Sequence, residues 1–121
     1  MKCFLTISFI IISMAFAGAD PNPLIGKWET KPSDGGNVTA VMFKDNNQFE
    51  SYKNNSPYIN GSYTVKGKVL SITDDRCGDI TGTYELIFFS NSDSLSFQAI
   101  EDDCGGRKFA IENTILGRVK K

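Results

Sequence analysis

The chain contains no histidine at all. That excludes catalytic triads built on an imidazole base and metal sites that rely on imidazole nitrogen. Tryptophan occurs once and proline four times. Neither charge sign is in excess: 13 basic residues stand against 14 acidic ones. With no basic stripe to neutralise phosphates, nucleic acid is not an expected partner. The chain also lacks a nucleophile elbow, a phosphate-cradling glycine loop and a dinucleotide fingerprint. Gly35-Gly36 and Gly105-Gly106 are lone glycine pairs that read as turns. With so few acid–base groups, no catalytic residues and no cofactor are expected, and binding is favoured over catalysis.

Long apolar runs are missing except at the start. Lys2 gives a short basic beginning, and an apolar stretch follows from Phe4 to Phe16, interrupted by Thr6, Ser8 and Ser13. Small residues follow at Ala15, Ala17, Gly18 and Ala19. This order is that of a secretory signal peptide over residues 1–19. The run is shorter than the roughly 20 residues a membrane helix needs. Asp20-Pro21-Asn22-Pro23 ends it, so no membrane span is expected after cleavage. Cleavage after Ala17 and after Ala19 both fit, and Ala19 is preferred. It leaves one domain over 20–121 and, with Lys2 removed, a net charge of −2 in place of −1. Export places the protein outside the cell or in a periplasm.

Of three cysteines, Cys3 leaves with the signal peptide. Cys77 and Cys104 remain, and in an oxidising compartment they most simply form one disulfide, two free thiols being the alternative.

The rest shows no convincing helical period. Short apolar bursts alternate with Gly, Asn, Asp and Ser clusters, the pattern of many short strands. Strands are expected near 24–31, 38–44, 48–53, 61–66, 68–73, 82–89, 94–101 and 107–119, the last broken near Asn113. A Lys66-Gly67 turn sets Tyr63 opposite Leu70. In the later hairpin, Tyr84 faces Phe97 and Leu86 faces Leu95, which separates an apolar from a polar face. The same register, continued past the hairpin's open end, joins Cys77 to Cys104. Gly61-Ser62-Tyr63 and Gly82-Thr83-Tyr84 open their strands alike. Consecutive antiparallel strands remove their sheet edges by closing, so the expected fold is all-β, a small up-and-down barrel of about eight strands. A two-sheet sandwich is the alternative.

Leu24-Ile25-Gly26-Lys27-Trp28 resembles the Gly-x-Trp start of lipocalin and lipocalin-like barrels. The resemblance implies structural roles for Gly26 and Trp28. Trp28 would close the bottom of the barrel, with a late cation across its ring: Arg118 first, Arg107 second. Cys77, Gly82-Thr83-Tyr84, Leu95-Ser96-Phe97 and Asp102-Asp103-Cys104-Gly105-Gly106-Arg107 resemble a segment of small exported bacterial lipocalin-like proteins. The resemblance implies a fold more than a task.

Three candidate sites follow. The barrel interior would take a small apolar or amphipathic ligand at Tyr63, Tyr84, Leu86, Leu95, Phe97 and Phe109. Leu70, Ile72 and Ala99 also face inward by the strand pattern, with Phe43 and Phe49 as further candidates. So many large side chains favour a filled interior over an open pocket, and buried tyrosine hydroxyls would seek partners in a ligand. A protein partner, as in an exported protease inhibitor, is the alternative function. Its contacts would be the arm Asp20-Pro21-Asn22-Pro23 or an outer apolar patch at Ile87, Phe89 and Ile100. Metalloprotease inhibitors of similar build carry their disulfide nearer the N-terminus, and biotin binders line their site with several tryptophans, so neither resemblance is close. The third site is the acidic group Asp74, Asp75, Asp79, Glu101, Asp102 and Asp103 around the cysteines. Its spacing matches no calcium loop, and Arg76, Arg107 and Lys108 lie among the acids, so no metal site is assigned.

Overall fold

A computed structural model describes residues 22–120. The signal peptide expected over 1–19 lies outside the described residues, as do Asp20 and Pro21. Eight strands follow one another in order: β1 (Gly26–Glu29), β2 (Thr39–Phe43), β3 (Gln48–Lys53), β4 (Ser56–Lys66), β5 (Val69–Asp74), β6 (Gly82–Phe89), β7 (Ser94–Glu101) and β8 (Leu116–Arg118). A helix, α1 (Gly105–Glu112), separates β7 from β8. Each strand pairs antiparallel with the next, and β8 pairs with β1, so the sheet closes into a barrel with no free edge. The barrel, rather than the sandwich, is the fold.

Period-two alternation decides which side chains enter. Phe43, Phe49, Tyr63, Leu70, Ile72, Tyr84, Leu86, Leu95 and Phe97 are all buried, and they pack with Leu24, Trp28 and Leu116 into one core. Ala99 packs against that core from a half-buried position. Both hairpin registers, however, are displaced by two residues from those expected. The first turn is Gly67-Lys68, with Gly67 at φ 61°, so Tyr63 lies opposite Ile72 and Val65 opposite Leu70. In the second, Tyr84 lies opposite Ala99 and Leu86 opposite Phe97. The turn there uses Ser90, Asn91 and Ser92 with positive φ. A shift of two leaves every side chain on its expected face, which is why the core is as expected although the partners are not.

Two elements depart from the sequence reading. Strand β4 begins at Ser56 rather than at Gly61, because Asn54 and Asn55 (φ 51° and 69°) form a tight two-residue hairpin turn between Lys53 and Ser56. The segment expected to be a strand from Arg107 is instead α1. No side chain caps its first turn. It is held by Arg107 and Ile111, which pack inward, and by the Cys77–Cys104 disulfide. Phe109, expected inside, sits on the outer side of α1 at 73 % exposure.

One end of the barrel is closed. Gly26 has φ 125°, a conformation only glycine takes readily, and it delivers Trp28 into the interior at 0 % exposure. The indole N–H of Trp28 donates to Leu24 O at 2.9 Å. Arg118 lays its guanidinium 4.2 Å from the Trp28 ring and also donates to Pro23 O and Ser92 O. Arg118 is thus the cation on Trp28; Arg107 is used elsewhere.

Candidate functional site

The other end is open. Between the strands and α1 lies a cavity of about 600 Å³, within the roughly 300–1,000 Å³ typical of small-molecule sites. The interior is therefore not filled. Its walls are apolar, built by Val41, Phe43, Phe49, Leu70, Ile72 and Phe97. Ile111 and Ala110 of α1 line one side near the mouth.

Of the six residues expected to contact a ligand, only Phe97 lines this cavity, while Leu70 and Ile72, expected inward, and the further candidates Phe43 and Phe49 line it too. Leu86 and Leu95 are buried in the packed part of the core. The two tyrosines do not await a ligand. Tyr63 donates to Lys44 O at 2.7 Å and accepts from Asn22 Nδ2 at 2.9 Å. Burial pushes its hydroxyl pKa above the usual value. Tyr84 donates to the Asp102 carboxylate. Among the described residues, no buried side-chain nitrogen or oxygen lacks a partner. The signal missed in the sequence is size: Thr39, Val41 and Ser51 are the small inward side chains that leave room beside Phe43, Phe49 and Phe97.

A buried charge network joins α1 to the barrel. Arg107 Nε and Nη2 donate to Asp102 Oδ2 and Oδ1 at 2.7 and 2.8 Å. Its Nη1 reaches Asp74 Oδ2 at 3.2 Å, and Nη2 also reaches Ile80 O at 2.8 Å. Asp74 Oδ1 accepts the backbone N–H groups of Arg76 and Cys77, and Asp102 Oδ1 accepts that of Cys104. Gly82 is required beside this group, since a β-carbon there would strike the Asp102 carboxylate. The acids around the cysteines are thus divided: two hold Arg107, and among the described residues no three potential ligands converge on a metal site.

Hydrogen bonding from Arg107 holds the Asp102 pKa down at about 2, against the opposing effect of burial. Burial first, then the Asp102 hydrogen bond, raises that of Tyr84. The Asp102 contribution is fully present above its unfolded pKa of about 4 and is lost as pH falls through about 2. Unfolding free energy should therefore drop by about 2 kcal/mol between pH 4 and pH 2, on top of any other carboxylate effect. Urea titrations across that window check it, and Asp102→Asn should show a shallower slope. An unchanged slope in that variant would refute the assignment.

The cysteines are bridged, with Cα atoms 6.1 Å apart. Cys77 lies in the β5–β6 loop and Cys104 at the N-cap of α1, so the bond ties the helix to the mouth. Its agreement with the hairpin register expected from sequence is coincidental, because that register is displaced. The outer apolar patch is interrupted: the Glu85–Gln98 pair lies between Ile87 and Ile100. The described part of the N-terminal arm, Asn22 and Pro23, is tied to Tyr63 and Arg118 rather than free.

No family model matches the sequence, and no curated protein matches it. Among solved structures, the NMR structure of a protein from Bacteroides uniformis ATCC 8492 is similar, with a TM-score of 0.55 and 18 % identity over 82 % of this chain and 91 % of that one. At that identity the likeness concerns the fold alone.

Proposed function

We propose that this is an exported lipocalin-like binding protein, secreted or periplasmic, that carries a small apolar or amphipathic ligand in its barrel and performs no catalysis. The observation that carries the reading is the cavity of about 600 Å³ with apolar walls, open at one end and shut at the other by Trp28 and Arg118. Apolar walls with a few polar groups at the rim are the usual composition of a small-ligand site. The Gly-x-Trp start and the signal-like N-terminus are in keeping with this reading.

The test is titration of the disulfide-bonded protein with the neutral apolar dye N-phenyl-1-naphthylamine. Saturable, single-site enhancement of its fluorescence is expected. Val41→Trp, which puts bulk into the cavity, should weaken it at least about tenfold, a loss of roughly 1.4 kcal/mol. Absence of saturable binding, or binding indifferent to Val41→Trp, would count against the cavity as the site.

A further inference from the structure

The charged side chains that line the cavity are mostly cationic: Lys53, Arg76 and Arg107 against Asp74. Two cations line it without a partner: among the described residues, neither the Lys53 ammonium nor the Arg76 guanidinium makes an ion pair or a side-chain hydrogen bond. Asp74, the nearby acid of the lining, has its oxygens engaged by Arg107 and by the backbone of Arg76 and Cys77. Counted with Asp102, the Arg107 group carries one net negative charge, so with Lys53 and Arg76 these five groups sum to +1; Asp75, Asp79 and Asp103 lie on the same loops but outside the cavity lining. The full chain carries −1.

These two cations are brought together by a device in the sheet. Lys53 stands at the inward-facing end of β3, two positions beyond Ser51 on the same face. Opposite it, the register of β3 with β4 shifts between Ser51 and Tyr52, pairing Ser51 with Ile59 but Tyr52 with Pro57. Tyr58 is the extra residue. A bulge of this kind re-aims a side chain, and Tyr58 lines the mouth although strict alternation would send it outward. Its ring lies 5.8 Å from Lys53 Nζ and 4.3 Å from Arg76 Cζ. Among the described residues the Arg76 guanidinium donates no hydrogen bond, so its N–H groups stay available beside the ring.

We infer that the ligand of this cavity is an amphipathic anion, its apolar body among Phe49, Ile72 and Phe97 and its carboxylate-type head held at the mouth by Lys53 and Arg76 on the Tyr58 platform. The inference rests on the cavity being the binding site. Two like charges converging on one ring repel each other, and an anion between them removes that repulsion and forms charge-assisted hydrogen bonds to both.

Displacement of N-phenyl-1-naphthylamine by decanoate, decanol and decyltrimethylammonium separates the possibilities. At neutral pH and low salt, decanoate should displace the dye about tenfold better than decanol, with the ammonium amphiphile weaker than both, and added salt should erode the preference. Lys53→Gln/Arg76→Gln, checked for an unchanged melting temperature, should bring decanoate down to decanol. Equal displacement by acid and alcohol, a better ammonium ligand, or an acid preference that survives the double variant would overturn the anionic head while leaving the cavity intact. Failure of dye and all three amphiphiles to bind would instead overturn the cavity itself.

Discussion

Arg107→Met should destabilise the protein by about 3–5 kcal/mol, because it strands two buried carboxylates at once. The Arg107 side chain is 5 % exposed, and those of Asp74 and Asp102 are 4 % and 0 %. Removing the guanidinium leaves Asp102 with Tyr84 and the Cys104 N–H, Asp74 with two backbone donors, and Ile80 O without its donor. Asp102 loses the Arg107 hydrogen bonds that hold its pKa down, so the loss should be largest at neutral pH and shrink in acid as that carboxylate is protonated. For a domain of this size, each kcal/mol is worth roughly 4–8 °C in melting temperature, which makes the effect visible in any thermal scan. Arg107→Lys should recover little, since an ammonium cannot donate in the forked geometry that spans Asp102 and Asp74. The decisive measurement is a cycle with Asp102→Asn in urea. Arg107→Met should cost less in that background than in the wild type by more than 1 kcal/mol. Equal costs in both backgrounds would mean that Arg107 acts through packing alone.

Much of the frame was legible from sequence, for identifiable reasons. Alternation separates faces whatever the register, so Tyr63, Leu70, Ile72, Tyr84, Leu86, Leu95 and Phe97 could be assigned inward while their cross-strand partners were displaced by two. The Gly-x-Trp pair carried enough information to place Trp28 and its cation Arg118. The helix did not announce itself: Gly105-Gly106 opens it, no side chain caps it, and its hold on the barrel comes from Arg107 partners up to 33 positions away. Such long-range contacts override local propensity and leave no periodic trace in eight residues. The cavity was hidden for a related reason. Aromatic content sets how much ring volume there is, but only the three-dimensional arrangement packs rings against one another, as where Phe43 meets Tyr63 at 5.0 Å and Trp28 meets Phe88 at 6.3 Å, and leaves space beside them. The platform at Tyr58 depends on a bulge, which a strand pattern does not reveal.

The Cys77→Ser/Cys104→Ser protein should lose about 3–4 kcal/mol of stability, the chain-entropy value for the loop of 27 positions that the bond closes. The expected cause lies in the unfolded chain, which gains freedom when the link is cut, rather than in native contacts. Two consequences distinguish this origin. First, the folded variant should keep its cavity and its dye affinity well below its melting temperature, because Arg107 still anchors α1 to Asp74 and Asp102. Second, the cost should add to that of Arg107→Met, since one acts on the unfolded and the other on the folded state. Their sum, about 6–9 kcal/mol, matches or exceeds the whole stability of many small domains, so the triple variant should be largely unfolded at 25 °C. Urea unfolding of the oxidised wild type, the double-serine variant and the triple variant measures all three terms. A double-serine protein within 1 kcal/mol of the wild type would show that the network alone fixes the helix. Loss of dye binding in a folded double-serine variant would show instead that the disulfide shapes the mouth directly.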